Sequence, residues 1–288
     1  MSLTPAVGVI GGSGLYEMEG MEKIREIEIT TPFGAPSDKI HAGELAGRRV
    51  FFLPRHGRGH RLLPTELPHQ ANLWALRSLG VRWLFCVTAV GSLKEDLHPE
   101  DIVVVDQFFD RTSRREHHTF FGGGVVGHVS FAEPLSPALR ALVVEEARRQ
   151  GKRVHEKGTY VCMDGPAFST RAESETNRRL GFDVVGMTNL PEAKLAREAE
   201  IAAVTLAMVT DYDCWKTDEE PVTAEAVMGH VSANSKAAKE VVRAVIPRLP
   251  CEPDWPEHRS LDGSLMTPRS LWPEETAGRL GRIVERFL

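Results

Sequence analysis

Short apolar runs that end in glycine, small or hydroxyl residues recur along this chain of 288 residues. Continuous apolar runs of this length are typical of strands in a sheet that is covered on both faces, because such strands need no polar alternation. They alternate with segments of helical spacing, so the pattern predicts an α/β fold with a central sheet flanked by helices. The predicted strands are 7–10, 24–31, 49–53, 83–88, 102–106, 158–163, 183–188 and 201–210.

The predicted helices lie between these strands and have recognisable ends. Ser136 can cap a helix that has Pro137 at its first position, and Gly151 follows its end. Ser169 is predicted to begin another helix, and Thr223 to cap a long one. The helices with predicted bounds are 67–79, 136–150, 190–199 and 223–245.

The composition changes near residue 250, where prolines begin to punctuate the chain. An amphipathic helix is predicted from about Glu274 to the C-terminus. We therefore divide the chain into a main domain, residues 1–250, and a C-terminal extension, residues 251–288. The extension is expected to pack on the same domain or on a neighbouring subunit.

Two carboxylates, Asp211 and Asp213, follow the apolar run 204–210. In open α/β sheets the functional site lies beyond the carboxyl ends of the strands. If the backbone stays extended, both side chains point to the same side of the sheet, because strand side chains repeat every two residues. Such a pair can exchange a proton or hold an amino group. The alternative interpretation is a solvated turn at a strand end.

Small and hydroxyl residues follow three other predicted strands, in the segments 11–14, 88–92 and 187–189. The segment Gly11-Gly12-Ser13-Gly14 lacks the third glycine of the dinucleotide fingerprint and is not followed by the Gly-Lys-Ser/Thr of a nucleotide triphosphate loop. Its glycines let backbone N–H groups approach an anion closely. The segment either binds an anion or simply turns the chain.

Residues 54–61 contain three arginines and two histidines. His56 and His60 have the spacing of two metal ligands on a helix, but Gly57 and Gly59 disfavour a helix and no nearby carboxylate completes a metal site. Arg55 has the geometry for bidentate contact with a phosphate. This segment is therefore either a cationic loop that binds an anion or an exposed basic loop.

Composition narrows the classes of function. The net charge of −5 gives no global electrostatic reason to expect a nucleic-acid partner. No apolar run reaches the length of a membrane span, and the N-terminus lacks the features of a signal peptide. The four cysteines show neither zinc spacing nor Cys-x-x-Cys, so we expect a cytoplasmic protein without a metal.

Phe168 can stack on a planar base or take part in ordinary packing.

Seven ordered motifs resemble the trimeric purine nucleoside phosphorylase superfamily, and within it the methylthioadenosine phosphorylases, over residues 7–246. The motifs are Gly-Val-Ile-Gly-Gly-Ser-Gly-Leu (8–15), Thr-Pro-Phe-Gly-Ala-Pro-Ser-Asp (31–38), Arg-His-Gly-Arg-Gly-His (55–60), Gln-Ala-Asn-Leu-Trp-Ala-Leu (70–76), Asp-Gln-Phe-Phe-Asp-Arg-Thr (106–112), Phe-Ser-Thr-Arg-Ala-Glu-Ser (168–174) and Thr-Asp-Tyr-Asp-Cys-Trp (210–215). The resemblance implies a three-layer phosphorylase-type fold with a central twisted mixed β-sheet. It also implies a homotrimer or a dimer of trimers.

The resemblance also assigns roles to individual residues. The implied phosphate ligands are Ser13, Arg55, His56, Thr88, Ala89 and Thr188. The implied nucleoside-binding residues are Phe168, Ser169, Met187, Val227, Met228 and His128, the last supplied by a neighbouring subunit. Asp211 and Asp213 are the implied catalytic residues at the purine edge. Asp164 and Ala167 stand where relatives commonly have Glu and Arg, so the geometry of that loop is expected to differ.

The implied reaction is phosphorolysis of S-methyl-5′-thioadenosine to adenine and 5-methylthioribose 1-phosphate, a step of purine and methionine salvage. Asp211 would assist protonation of the leaving adenine at N7. Phosphate is a substrate, and no metal or organic cofactor is expected. The 6-oxopurine members carry Asn at the position of Asp211 and Glu at that of Ser169, so both residues match the adenine pattern. The alternatives are a phosphorylase of 6-oxopurine nucleosides, including methylthioinosine, a hydrolytic nucleosidase, and a non-catalytic purine-binding protein.

Overall fold

The computed structural model describes residues 4–12, 15, 18–113, 115–216 and 224–288, and within the last range the side chains from residue 229 onward. Eleven strands of this part of the chain form one mixed sheet. They are β1 Ala6–Gly11, β2 Glu22–Ile27, β3 Ile40–Leu45, β4 Arg48–Pro54, β5 Val81–Ser92, β6 Ile102–Val104, β7 Gln107–Asp110, β8 Val154–His155, β9 Thr159–Cys162, β10 Val184–Gly186 and β11 Ala202–Asp211.

The longest strand, β5, lies at the centre of the sheet. One of its edges pairs with β11, in parallel, and the other pairs first with β1, in parallel, and then with β10, antiparallel. On the second edge, β4, β3 and β2 follow β1 in that order, and β9 and β7 follow β10. Strands β6 and β8 lie beyond β11. The carboxyl ends of β5 and β11 are therefore neighbours, and β1 ends beside Cys86 of β5.

Helices cover both faces of the sheet and give the three-layer α/β fold that the sequence predicts. They are α1 His69–Ser78, α2 Pro137–Arg149, α3 Arg171–Arg179, α4 Asn189–Glu198, α5 Ala224–Val245 and α6 Glu274–Leu280. Successive residues of β1 point to opposite faces. Ile10 belongs to the core that contains residues of α1 and α4, whereas Val7 and Val9 belong to the core that contains residues of α2 and α5. No described helix is long and apolar enough to cross a membrane.

Some boundaries differ from the prediction. Helix α3 begins after Thr170 rather than at Ser169, because the Thr170 hydroxyl accepts the Glu173 N–H (3.2 Å) and the Glu173 carboxylate accepts the Thr170 N–H (2.8 Å). The C-terminal helix ends at Leu280 and continues as 3-10 turns, because Gly281 has a φ of +49°. The sequence pattern predicted none of β3, β7 and β8, and β2 ends four residues before its predicted end at Thr31.

The C-terminal extension packs on the chain's own core. Leu280 accepts a hydrogen bond from the Trp74 indole (3.2 Å), and the His258 ring Nε2 donates to the Arg82 carbonyl (2.9 Å). A β-bridge joins Leu265 to Gly127. The division of the chain at residue 250 stays a prediction, but the extension supports both α1 and the loop around residue 127.

Glu198 of α4 makes the stability of the fold depend on pH. Its carboxylate is buried and accepts hydrogen bonds from the Phe120 N–H and the Thr119 hydroxyl, both at 2.7 Å. Burial raises the pKa of Glu198 from 4.5 to about 7, so the folded state favours the protonated form. As pH rises from 4.5 to about 7, ionisation should therefore lower the free energy of unfolding, by roughly 3 kcal/mol in all.

The matched comparison is with E198Q, which cannot ionise. Urea unfolding of both proteins at several pH values should show the native protein losing stability relative to E198Q up to about pH 7, with a constant difference above it. A difference that does not change with pH would show that this carboxyl titrates normally.

Candidate functional site

The hydrogen-bond ladder along one edge of β5 is interrupted in the middle of the sheet. Strand β1 pairs with β5 as far as Cys86, and β10 pairs with it only from Gly91. Among the described residues, no strand therefore pairs with residues 87–90 on that edge, while β11 covers the other edge. Ala89 is exposed although the residues on both sides of it are buried. A site thus opens beside the carboxyl end of β1.

Arg55 lies at this gap, directly after β4. Its backbone N–H donates to the Gly11 carbonyl (2.9 Å), and its Nη1 donates to the Val87 carbonyl (2.7 Å). The side chain is 2% exposed, so the interpretation as an exposed basic loop fails for Arg55, whereas residues 58–61 of the same segment are exposed. Its Nε and Nη2 donate to the two carboxylate oxygens of Glu192, at 2.5 and 2.9 Å. The bidentate fork expected to contact phosphate is therefore occupied by a carboxylate, and phosphate can use only the other N–H groups of the guanidinium.

Two buried threonines complete this part of the site. The hydroxyl oxygens of Thr88 and Thr188 lie 3.4 Å apart, and Thr188 also accepts from the Asn189 amide at 3.5 Å. The Val87 carbonyl faces the gap, and backbone groups two residues apart in a strand share an edge, so the Ala89 N–H faces the gap as well. Hydroxyl and amide donors thus converge on the opening beside Arg55.

His56 follows Arg55 and adds no charge to the site. Its Nδ1 donates to the Leu62 carbonyl (2.9 Å), and its ring stacks on His60 with the centroids 4.3 Å apart. Burial lowers the pKa of His56 to about 4, so the ring is neutral at pH 7. Its backbone N–H has no hydrogen-bond partner among the residues that the structure describes, so it is available to a ligand.

The carboxylate pair lies at the end of β11, but not in the extended geometry that the sequence suggested. The pairing of β11 with β5 shifts between Val209 and Asp211, and Asp213 has a φ of +51°. Asp211 Oδ1 accepts the Asp213 N–H (2.8 Å), and its Oδ2 accepts the Thr210 hydroxyl (2.7 Å). This turn keeps the two side chains together: a Cβ on Gly91 would lie 3.0 Å from Asp211 Oδ1 and 3.3 Å from Asp213 Cβ.

Both carboxyl groups favour the protonated form more than a free aspartate does. Burial raises the pKa of Asp211, and the neighbouring Asp213 raises it further. Burial also raises the pKa of Asp213, against the effect of the Ser174 and Ser169 hydroxyls. The buried Asp213 Oδ2 has no hydrogen-bond partner within the described part of the chain. The pair can therefore hold a proton and accept a further hydrogen bond from a ligand.

Ser169 and Phe168 lie on the loop beside Asp213. The Ser169 carbonyl accepts from the Cys214 thiol (3.2 Å), which ties the loop to the turn after β11. Phe168 is 45% exposed, so its ring is not part of the core. Met187 follows β10 and packs so closely on Gly165 that a Cβ there would lie 2.4 Å from its sulfur. The loop tied to the turn after β11 thus presents an exposed ring, and the Met187 thioether packs against the same loop at Gly165.

Not every residue of the predicted site can be placed there. His128 is exposed, and its backbone N–H donates to the Ser264 carbonyl (2.8 Å); no interaction between described residues links its ring to the gap. Ser13 and the side chains of Val227 and Met228 lie outside the described residues. Within the described ranges, no group of three His, Cys, Asp or Glu side chains is arranged to bind a metal.

The sequence interpretation missed Glu192 and Asn189, which join Arg55 to Thr188. Asn189 Nδ2 donates to Glu192 Oε2 (3.0 Å). Their only signal is the i, i+3 spacing of two polar residues on an otherwise apolar first turn of α4. Asp164 and Ala167 are the two residues that depart from the family pattern. The Asp164 carboxylate accepts a hydrogen bond from the Ser113 hydroxyl (2.6 Å), and Ala167 is exposed.

Comparison with known proteins places this geometry in a family. The model of the phosphorylase superfamily matches residues 6–247. The S-methyl-5′-thioadenosine phosphorylase of Gloeobacter violaceus is 51% identical over 286 residues, covering 98% of this chain and 95% of the relative. That of Geobacter sulfurreducens is 48% identical over 282 residues, covering 98% and 99%.

Solved structures agree with these sequence relatives. A methylthioadenosine phosphorylase from an antarctic soil metagenomic library superimposes with a TM-score of 0.92 at 46% identity, covering 97% of this chain and 99% of that one. The methylthioadenosine phosphorylase of Schistosoma mansoni in complex with adenine gives a TM-score of 0.85 at 36% identity, covering 91% and 99%. The chain therefore belongs to the phosphorylase superfamily, and within it to the S-methyl-5′-thioadenosine phosphorylase family.

Proposed function

We propose that this protein catalyses the phosphorolysis of S-methyl-5′-thioadenosine to adenine and 5-methylthioribose 1-phosphate. The observation that carries the proposal is the gap along β5. Neutral donors and Arg55 lie at one end of this gap, and two carboxyl groups lie at the other end, beside the same strand. One site can thus hold a small anion and protonate a leaving base. The identity to phosphorylases that bear this substrate in their names supports the same substrate here.

Phosphate binds at the β1 end of the gap in this proposal. The hydroxyls of Thr88 and Thr188, the N–H groups of Ala89 and His56 and the remaining N–H groups of Arg55 donate to its oxygens. Ser13 is the sixth predicted ligand. Phosphate then attacks the anomeric carbon from the face opposite the purine, while the glycosidic bond loosens towards an oxocarbenium-like state. The phosphate charge stabilises the cationic sugar.

The purine lies at the Asp211 end. Asp211 assists protonation of N7, because its raised pKa lets it hold a proton at a pH where a free aspartate has lost it. The unpartnered Asp213 Oδ2 accepts a hydrogen from the 6-amino group, with Ser169 beside it. Phe168 stacks on the base, and Met187 contacts the ribose.

The 5′-methylthio end completes the substrate. Val227 and Met228 are the proposed apolar contacts of the thioether, and His128 is proposed to reach this end from a neighbouring subunit. The exposed position of His128 is consistent with such a role. The proposal therefore includes a homotrimer or a dimer of trimers, no metal or organic cofactor, and a cytoplasmic location.

The direct test is to incubate the purified protein with S-methyl-5′-thioadenosine, with and without phosphate, and to measure free adenine. We expect adenine release that requires phosphate and produces 5-methylthioribose 1-phosphate in equal amount. Release without phosphate would show a nucleosidase. Turnover of methylthioinosine or inosine alone would reassign the base, and binding of all these nucleosides without product would show a purine-binding protein.

A further inference from the structure

Glu192 is a fully buried carboxylate directly behind the proposed phosphate site. It lies on the first turn of α4, where the helix dipole favours a negative charge. Three donors surround its two oxygens: Arg55 Nε at 2.5 Å, Arg55 Nη2 at 2.9 Å and Asn189 Nδ2 at 3.0 Å. Its position, and through it that of the guanidinium, is therefore fixed before any ligand binds.

The same network reaches the hydroxyls of the site. Asn189 Nδ2 lies 3.5 Å from Thr188 Oγ1, which in turn lies 3.4 Å from Thr88 Oγ1. Because the Thr188 oxygen accepts from the amide, its own hydrogen is directed elsewhere, towards Thr88 or a bound anion. Glu192 and Asn189 thus orient one charged and one neutral donor together.

The charges at the site cancel. Arg55 contributes one positive charge and Glu192 one negative charge at a distance of 2.5 Å. Burial lowers the pKa of His56 to about 4. It also lowers the pKa of His69, the first residue of α1, to about 3, and the nearby Arg55 charge adds to this effect, so both rings are neutral at pH 7. The charges of Arg55, Glu192, His56 and His69 therefore sum to zero, and these groups give the proposed anion site no net positive charge.

We propose that Glu192 is a positioning residue for phosphorolysis, which holds Arg55 in place and cancels its charge so that phosphate is bound by neutral donors and keeps its own negative charge. This inference rests on the proposed function. An unbalanced arginine would bind phosphate more tightly in the ground state and reduce its ability to stabilise the cationic sugar, so it would improve binding without improving the rate.

The first test is the thermal stability of E192Q with and without phosphate. The variant keeps the size of the side chain but leaves Arg55 as an unpaired buried cation, so we expect its Tm to fall by roughly 10 °C. Phosphate then supplies the missing anion, and the rise in Tm at a given phosphate concentration should be at least twice that of the native protein. A rise equal to or smaller than that of the native protein would overturn the proposal.

The second test separates KM from kcat. In E192Q we expect the KM for phosphate to fall several-fold while kcat falls about 10- to 100-fold. Loss of a purely structural ion pair would instead raise KM, and that result would refute charge cancellation. If E192Q does not fold, N189A takes its place: it leaves both charges, so the KM for phosphate should rise about threefold through Thr188, and an unchanged KM would refute the network.

E198Q is the matched control, because Glu198 is a buried carboxylate on the same helix whose described partners are Phe120 and Thr119 rather than an arginine. Its phosphate-dependent Tm rise should equal that of the native protein, and an enlarged rise in E198Q would overturn the assignment to Glu192.

Measurements on the native protein distinguish a failure of the proposed function from a failure of the role proposed for Glu192. If it shows neither phosphate-dependent adenine release nor a Tm rise with phosphate, the proposed function fails; if it shows both and E192Q behaves as a structural variant, only this inference fails.

Discussion

The variant D211N should turn over S-methyl-5′-thioadenosine about 10³-fold more slowly than the native protein, at saturating phosphate. Asparagine keeps the size of the side chain and can still accept the Thr210 hydroxyl or the Asp213 N–H. It cannot transfer a proton to N7 of the leaving adenine. The loss should therefore appear in kcat, with little change in the KM for phosphate, because the phosphate donors lie at the other end of the gap.

Two comparisons separate lost chemistry from a damaged pocket. The Tm of D211N should fall only slightly. The amide accepts one of the two hydrogen bonds that the carboxylate accepts, but the substitution also removes a carboxyl group that burial and the adjacent Asp213 already disfavour in its charged form. The amide can also donate a hydrogen bond to a 6-oxo group. D211N should therefore lose more activity on S-methyl-5′-thioadenosine than on methylthioinosine, and the ratio of the two turnover rates should fall. Unchanged turnover of S-methyl-5′-thioadenosine would show that Asp211 has no part in the reaction.

The position of these carboxylates, but not their geometry, could be predicted from the sequence. The apolar run 204–210 predicts a strand buried on both faces, and the structure confirms it as β11. The turn that follows depends on a hydrogen bond from the Asp213 N–H to Asp211 and on a shift in pairing with β5. A shift in register has no local sequence signal, because it depends on where the neighbouring strand lies.

The gap along β5 shows the same limit. The sequence identified the residues at several strand ends, but the opening arises because β1 stops pairing at Cys86 and β10 starts at Gly91. Strands β3 and β7 were missed for a related reason. Strand β3 mixes buried and partly exposed positions, and β7 has only partly exposed and exposed ones, so neither shows a continuous buried run. Their strand conformation comes from their neighbours.

Glu192 could not be linked to Arg55 from the sequence, because 137 positions separate them and a glutamate on a helix is usually solvated. The sequence suggested Arg55 as a free bidentate ligand of phosphate. The structure instead shows a buried pair, so the consequences of substituting Arg55 concern stability as well as binding.

The variant R55A should therefore fail in two ways. Removal of the guanidinium leaves Glu192 as an unpaired buried carboxylate, which should lower the free energy of unfolding by about 3–5 kcal/mol. The same negative charge then faces the phosphate site, so kcat/KM for phosphate should fall about 10³-fold or more. Urea unfolding and initial rates at varied phosphate concentration measure the two effects separately.

The double variant R55A/E192Q separates the two causes. Replacing the carboxylate by an amide removes the unpaired charge, so most of the lost stability should return, whereas phosphate use should stay impaired because no guanidinium donor is present. R58A is the control from the same loop: Arg58 is exposed and pairs at the surface with Glu26 (2.6 Å), so its loss should change stability by less than about 1 kcal/mol and leave phosphate use intact. If R55A kept the native KM and kcat for phosphate, the buried pair would be a structural element of the sheet, and the anion site would have to lie elsewhere.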